Sequence, residues 1–120
     1  MITGHHILIV EDDALQAMDL KFALGDAGFT VIGPAKTPLS AFSMIDETPP
    51  DCAILDYNLA HETSVDVAIH LHSEGVPFVY VTGEIEKLLA DKTAPKAEVF
   101  QKPYIQTELI KFIARRLNHG

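Results

Sequence analysis

The sequence predicts an α/β fold in which a parallel sheet is covered by helices on both faces. Short, continuously apolar runs alternate five times with longer segments whose apolar residues recur at helical spacing. Continuous apolarity is typical of strands buried on both faces, and a regular strand–helix alternation predicts parallel strands joined by right-handed crossovers. Polar residues end several of the apolar runs. In such a sheet they would meet at the carboxyl edge, where ligands bind.

The first two strand–helix units are predicted from residues 7–47. Residues 7–10 form the first apolar run, and residues 14–27 have the pattern of an amphipathic helix that Gly28 ends. The broad apolar stripe of this helix consists of Leu15, Ala17, Met18, Leu20, Phe22, Leu24 and Ala27. The second strand is predicted at residues 29–32.

The second helix has a sequence signal at its start. Thr37 is a favourable N-cap, and Pro38 suits the first helical position, so a helix is expected from there to about Glu47. Two consecutive prolines then separate this helix from a third strand at residues 52–55. The third helix is expected at residues 64–73, closed by a glycine.

The last two units follow the same alternation. Residues 78–81 are fully apolar, and the short helical segment 84–90 carries Ile85, Leu88 and Leu89 at helical spacing. We expect at least two of these three side chains to be buried in the core. Residues 97–101 predict the fifth strand, and the final helix at residues 105–117 places Leu109, Phe112, Ile113 and Leu117 on one face.

Length and composition exclude several classes of protein. With 120 residues the chain is expected to form one domain, 1–120. A formal net charge of −8 argues against binding of nucleic acid, because phosphate binding needs a basic face. Cys52 is the single cysteine, so no internal disulfide can form. Without an apolar run of membrane-spanning length or a signal peptide, we expect a cytoplasmic protein with no membrane partner.

Acidic residues end the first and third predicted strands. Glu11, Asp12 and Asp13 follow the first run and Asp56 follows the third, so carboxylates should converge at one edge of the sheet. Mg²⁺ prefers such oxygen ligands, and a backbone carbonyl near Asn58 could complete the set. Acidic residues in these loops can also act as helix caps. That alternative suits Asp13, whereas Glu11 and Asp12 are expected to face the site.

Two further polar residues end the fourth and fifth strands. Thr82 offers a hydroxyl, and Lys102 offers a compact positive charge suited to a phosphoryl oxygen. Each residue alone could be an ordinary strand-end threonine or a solvated lysine. Together with Asp56, whose carboxylate can act as a nucleophile, they indicate phosphoryl transfer.

Four short motifs at these positions resemble a response-regulator receiver domain. They are V-E-D-D-A-L at 10–15, I-L-D-Y-N-L at 54–59, V-T-G-E at 81–84 and Q-K-P-Y at 101–104. The resemblance covers nearly the whole chain and implies a flavodoxin-like sheet of order 2-1-3-4-5. Within the family, residues 77–83 are similar to a subset with a Phe-Ala-Thr-Gly-type fourth strand.

The resemblance also implies a role for each site residue. Asp56 would accept a phosphoryl group from a histidine kinase or a histidine phosphotransfer protein, and the chain would be a signalling switch rather than a dedicated enzyme. The implied Mg²⁺ ligands are Glu11, Asp12, Asp56 and the backbone carbonyl of Asn58. The other implied site residues are Thr82 and Lys102, Pro103 after a cis peptide bond, and Asn58 and Glu84 as positions that tune the lifetime of the phosphoryl group.

The chain departs from the family at one position of the expected switch. Most receivers carry an aromatic residue three positions before the lysine, but here that residue is Val99. The neighbouring Phe100 should point to the opposite face of its strand. Val99 therefore does not provide the aromatic side chain to which the threonine is usually coupled.

Several functions remain open at this level. The leading hypothesis is a stand-alone switch without an output domain, acting on an unknown protein target. The family uses the face of the fourth and fifth helices for output or a homodimer. The alternatives are a receiver-like binding module that works without phosphorylation and an aspartyl-phosphate phosphatase. A haloacid-dehalogenase-type phosphatase needs a second aspartate where this chain has Asn58. A flavin carrier on the same fold would need a phosphate-binding loop after the first strand, where Glu11–Asp13 would repel the phosphate.

Overall fold

The computed structural model describes residues 5–119, in which five strands alternate with five helices. The strands are β1 (His6–Val10), β2 (Thr30–Ala35), β3 (Cys52–Asp56), β4 (Phe78–Thr82) and β5 (Glu98–Gln101). The helices are α1 (Ala14–Asp26), α2 (Pro38–Glu47), α3 (Val65–Ser73), α4 (Ile85–Ala90) and α5 (Gln106–His119). All strands are parallel, in the order β2-β1-β3-β4-β5, so the predicted flavodoxin-like fold is confirmed.

The register of the central strands aligns their carboxyl ends. Val10 pairs with Leu55, Asp56 pairs with Val81, and Thr82 pairs with Gln101. The residues that end β1, β3, β4 and β5 therefore lie along one edge of the sheet. This alignment positions the polar residues discussed below.

Side-chain N-caps begin α1 and α2 at the residues that the sequence indicates. The Asp13 side chain accepts a hydrogen bond from the Gln16 N–H at 3.0 Å and caps α1. Thr37 caps α2 in the same way through the N–H of Ser40, at 3.1 Å. Asp13 is therefore used by the helix, which leaves Glu11 and Asp12 to face the sheet edge.

The core has one layer on each face of the sheet. Alternate residues of each strand point to opposite faces, so Leu8 contributes to one layer and Ile9 to the other. The first layer packs against α2, α3 and α4, and the second packs against α1 and α5. Helices thus cover both faces, which explains the continuous apolarity of the strands.

The apolar stripe of α1 divides between the core and the surface. Ala17, Leu20 and Leu24 are buried, whereas the exposed fractions are 79% for Leu15, 51% for Met18 and 65% for Phe22. The three exposed residues follow at i, i+3 and i+7, which places them together on one side of the helix. Only the other side faces the sheet and α5.

Two predictions about individual elements are wrong. Of Ile85, Leu88 and Leu89, only Leu88 is buried, because a six-residue helix presents little more than one turn to the sheet. Strand β2 continues to Ala35 instead of ending at residue 32. It tolerates Pro34 because it is an edge strand with an irregularity in its pairing.

Candidate functional site

Three carboxylates meet at the carboxyl edge of the sheet. Oxygen atoms of Glu11, Asp12 and Asp56 all lie within 4.8 Å of one another. Glu11 and Asp56 are buried, and Asp12 is half-buried. The sequence-based prediction that these three residues converge is therefore confirmed, because the ends of β1 and β3 are neighbours in the sheet.

Lys102 connects two of these carboxylates. Its Nζ atom lies 3.0 Å from Glu11 Oε1 and 3.0 Å from Asp56 Oδ2. Burial by itself would lower the pKa of the ammonium group, but the hydrogen bonds and charges of Glu11 and Asp56 outweigh burial and raise it. The lysine therefore remains charged and reaches the cluster from β5. Its backbone N–H donates to the Thr82 carbonyl at 2.7 Å, which fixes where the side chain starts.

Glu11 is the carboxylate most perturbed by this environment. Its pKa rises from 4.5 to about 7, first because it is buried and then because of the hydrogen bond and charge of Asp56. The Asp13 N–H, which donates to Glu11 Oε2 at 3.1 Å, and Lys102 act in the opposite direction. A single lysine does not fully offset the crowded carboxylates, and an additional cation at the cluster would relieve the remaining repulsion.

Thr82 lies at the end of β4, one strand away from Asp56. The residue is fully buried, and its Oγ accepts a hydrogen bond from the Glu84 N–H at 2.9 Å. Because that bond uses only an oxygen lone pair, the hydroxyl hydrogen remains able to donate elsewhere. Thr82 thus lies at the predicted edge and holds the following loop.

A side-chain bridge joins the loops after β3 and β4. The amide nitrogen Nδ2 of Asn58 donates to Glu84 Oε1 at 3.1 Å, and Glu84 Oε2 also lies 2.8 Å from the Nζ of Lys87. The two positions that the sequence paired as modulators are therefore in direct contact. The role of the Asn58 carbonyl as a metal ligand stays a prediction.

The residues on either side of Lys102 have the backbone and side-chain positions that the sequence indicated. The peptide bond between Lys102 and Pro103 is cis. Val99 packs in the layer formed with α2, α3 and α4, whereas Phe100 lies in the opposite layer, with its ring centroid 5.7 Å from that of Phe112. Phe100 therefore cannot replace an aromatic residue at position 99.

Sequence reasoning missed one contact beside the site. The hydroxyl of Tyr57 donates to Asp91 Oδ2 at 2.6 Å. Burial and the Asp91 carboxylate raise the pKa of Tyr57 to about 12, while hydrogen bonds from Thr93 and Tyr57 lower the pKa of Asp91. Because the partners are 34 positions apart, no local pattern indicated the pair.

The cluster has the chemistry of a magnesium site. Its donors are carboxylate oxygens, which suit a hard divalent cation, and the residues available fit Mg²⁺ with water or a phosphate oxygen in the remaining positions. Among residues 5–119, no helix has both the length and the apolar character needed to span a membrane.

Comparison with known proteins agrees with this geometry. Residues 7–114 match the family model described as the response regulator receiver domain. The chain is 31% identical over 114 residues to the phyllosphere-induced regulator PhyR of Methylorubrum extorquens. It is 28% identical over 110 residues to the transcriptional regulatory protein PdtaR of Mycobacterium tuberculosis. These matches cover 92% and 89% of this chain but only 43% and 54% of the relatives, so the chain spans about half their length.

The fold is also shared with solved structures. The solution structure of the receiver domain of PhyR from Erythrobacter litoralis superimposes with a TM-score of 0.86 at 23% identity, covering 97% of this chain and 92% of that one. Both curated relatives are regulators, in agreement with the prediction that this chain is not a dedicated enzyme. With the fold, the acidic cluster and a family match over nearly its whole length, the chain belongs to the response regulator receiver domain family.

Proposed function

We propose that this receiver domain is a phosphorylation-dependent signalling switch in which Asp56 accepts a phosphoryl group. The donor would be the phosphohistidine of a histidine kinase or of a histidine phosphotransfer protein. One observation carries the proposal: Lys102 Nζ lies 3.0 Å from both Asp56 and Glu11, beside the cluster of three carboxylates. A nucleophilic carboxylate, a fixed cation and a set of metal ligands therefore share one location.

In the transfer, an Asp56 carboxylate oxygen forms a bond to phosphorus. The bond from phosphorus to the donor's imidazole nitrogen breaks, and its electron pair stays on that nitrogen. Lys102, already within hydrogen-bond distance of Asp56, would turn to an oxygen of the transferred group, and Thr82 would donate its hydroxyl hydrogen to another.

The metal would be held by Glu11, Asp12, Asp56 and the backbone carbonyl of Asn58. When bound, Mg²⁺ supplies positive charge that offsets the charge on the phosphoryl oxygens. Glu11 and Asp12 hold and orient this charge next to the nucleophile. Asn58 and Glu84 bridge the two loops beside the site, and we propose that they limit the access of water and so set the lifetime of the phosphoryl group.

Downstream signalling would use protein contacts at the face formed by α4 and α5. On α4 the exposed fraction of Leu89 is 71%, which offers an apolar contact for a target or for a second copy of the chain. The added phosphoryl charge, roughly −1.5 to −2, is sufficient to bias a surface loop between two arrangements.

Intact mass after incubation with acetyl phosphate tests the proposal. The wild type should gain one phosphoryl group in the presence of Mg²⁺ and none when Mg²⁺ is chelated. Asp56→Asn should gain none, while Asp26→Asn, a change of the same type on the exposed end of α1, should behave as the wild type. Absence of an adduct on the wild type would instead favour a binding module that works without phosphorylation.

A further inference from the structure

The two residues that follow Asp56 hold opposite ends of α4. Asn58 Nδ2 donates to the Glu84 carboxylate at 3.1 Å, immediately before the helix begins. The Tyr57 hydroxyl donates to the Asp91 carboxylate at 2.6 Å, immediately after the helix ends. Tyr57 and Asn58, two consecutive residues of the loop after β3, therefore contact both ends of α4, the helix that follows β4.

These end contacts matter because α4 is weakly packed along its length. Among its residues only Leu88 is buried. A cavity of about 520 Å³ lies beside the helix and is lined in part by Leu88, Tyr80 and Val99. A larger side chain at position 99 would occupy part of this space. With valine there, this cleft, which is partly open to solvent, stays unfilled beside α4, and the hydrogen bonds at its two ends are further restraints on the helix.

Tyr57 is in turn tightly held by the sheet. Its N–H donates to the Val81 carbonyl at 2.9 Å, and its ring meets that of Tyr80 edge-on with centroids 6.4 Å apart. The side chain is buried, so a movement of the backbone at position 57 would move its hydroxyl relative to Asp91. That backbone is bonded directly to Asp56.

Asp91 is an anchored acceptor for this hydroxyl. Its other oxygen, Oδ1, accepts hydrogen bonds from the Thr93 N–H at 3.0 Å and from the Thr93 hydroxyl. Thr93 therefore orients the carboxylate independently of Tyr57. A phenol that donates to a carboxylate forms a charge-assisted hydrogen bond, which is stronger than a neutral one.

We propose that Tyr57 and Asp91 form a latch on the carboxyl end of α4, and that a change at Asp56 reaches α4 through the backbone of Tyr57. This route would replace the coupling of a threonine to an aromatic side chain that Val99 does not provide. The second half of the proposal rests on the proposed function, since it takes phosphorylation of Asp56 as the input. The latch itself exists without phosphorylation.

Amide hydrogen exchange of the unphosphorylated protein tests the latch. Tyr57→Phe keeps the ring and removes only the hydroxyl. It should speed exchange at the Leu88 and Asp91 amides about fivefold, the effect expected for one lost hydrogen bond that restrains local opening. Tyr80→Phe is the matched control: it removes another phenol hydrogen bond, to the Pro95 carbonyl, which lies outside α4. It should leave those two amides unchanged.

A double-mutant comparison makes the result specific. Asp91→Ala should also speed exchange in α4, and adding Tyr57→Phe to it should produce no further increase, because the bond is already lost. Equal exchange in Tyr57→Phe and the wild type, or fully additive effects of the two substitutions, would overturn the latch.

The coupling is tested with acetyl phosphate and Mg²⁺. Phosphorylation should change exchange at Asp91 in the wild type, whereas Tyr57→Phe should form the same amount of adduct with less than a twofold further change. A full response in Tyr57→Phe would overturn the proposed route. Absence of an adduct on the wild type would refute the proposed function instead, and the unphosphorylated comparison alone would then decide whether the latch exists.

Discussion

Replacing Glu11 with glutamine should stabilise the metal-free protein at pH 8 and leave its stability nearly unchanged at pH 5. The expectation follows from the raised pKa of this buried carboxyl, about 7 in the folded protein against an ordinary 4.5. Between these two values the folded state keeps a proton on Glu11 that the unfolded state has released. The free energy of unfolding of the wild type therefore falls as the pH rises across this interval.

The size of the effect can be worked out from the contacts of Glu11. The pKa difference makes ionised Glu11 cost about 3 kcal/mol of stability at pH 8, and less than about 1 kcal/mol at pH 5. The two carboxylate oxygens accept from Lys102 and from the Asp13 N–H, whereas an amide has one oxygen. Losing one of these bonds costs about 1 kcal/mol. The net gain from Glu11→Gln is therefore about 2 kcal/mol at pH 8 and near zero at pH 5.

Urea unfolding at the two pH values, with Mg²⁺ chelated, measures this difference. Glu47→Gln is the control, since it makes the same change at an exposed position at the end of α2. It shows what the same substitution does away from the carboxylate cluster. If Glu11→Gln changes stability by the same amount at pH 5 and pH 8, Glu11 is ionised throughout and the reasoning is refuted.

Adding Mg²⁺ should reverse the advantage of the variant. A cation that binds only the folded state stabilises it by mass action, and the wild type has one more carboxylate to offer. The stability of the wild type at pH 8 should therefore rise more steeply with Mg²⁺ concentration than that of Glu11→Gln. Equal responses would show that Glu11 does not contribute to cation binding.

Three further predictions concern the rest of the molecule. Cys52 is buried, and burial raises its thiol pKa to about 12. A thiol reagent at pH 8 should therefore label Cys52 only as fast as the protein opens. Rapid labelling in native buffer would contradict its burial. Gly33→Ala should cost at least about 2 kcal/mol in thermal unfolding, because Gly33 has a φ of +94° and a Cβ atom there would lie 2.8 Å from the Ala35 nitrogen. Gly25→Ala, in open space on α1, should instead stabilise by up to about 1 kcal/mol. Burial raises the pKa of all three tyrosines. Phenolate absorbance should therefore appear at higher pH in the folded protein than in the urea-unfolded protein. Because the unfolded state releases these protons first, the free energy of unfolding should fall as the pH rises above about 10.

The sequence by itself determined the architecture and the location of the site. Continuous apolar runs and helical spacing depend on residues close together in the chain, and the rules for parallel strands turn that order into a sheet. Since the strands run the same way, residues that end different strands must lie at one edge. Asp12, Asp56, Thr82 and Lys102 could therefore be placed before any distance was known.

Only the tertiary structure decided how individual side chains are used. The apolar pattern treated Leu15 and Leu20 alike, but Leu20 faces the sheet and Leu15 faces outward, because packing against α5 and the strands selects one side of α1. The hydrogen bond between Tyr57 and Asp91 likewise joins residues far apart in the chain. Burial, pKa and long-range hydrogen bonds depend on neighbours in space, and the order of residues along the chain does not specify them.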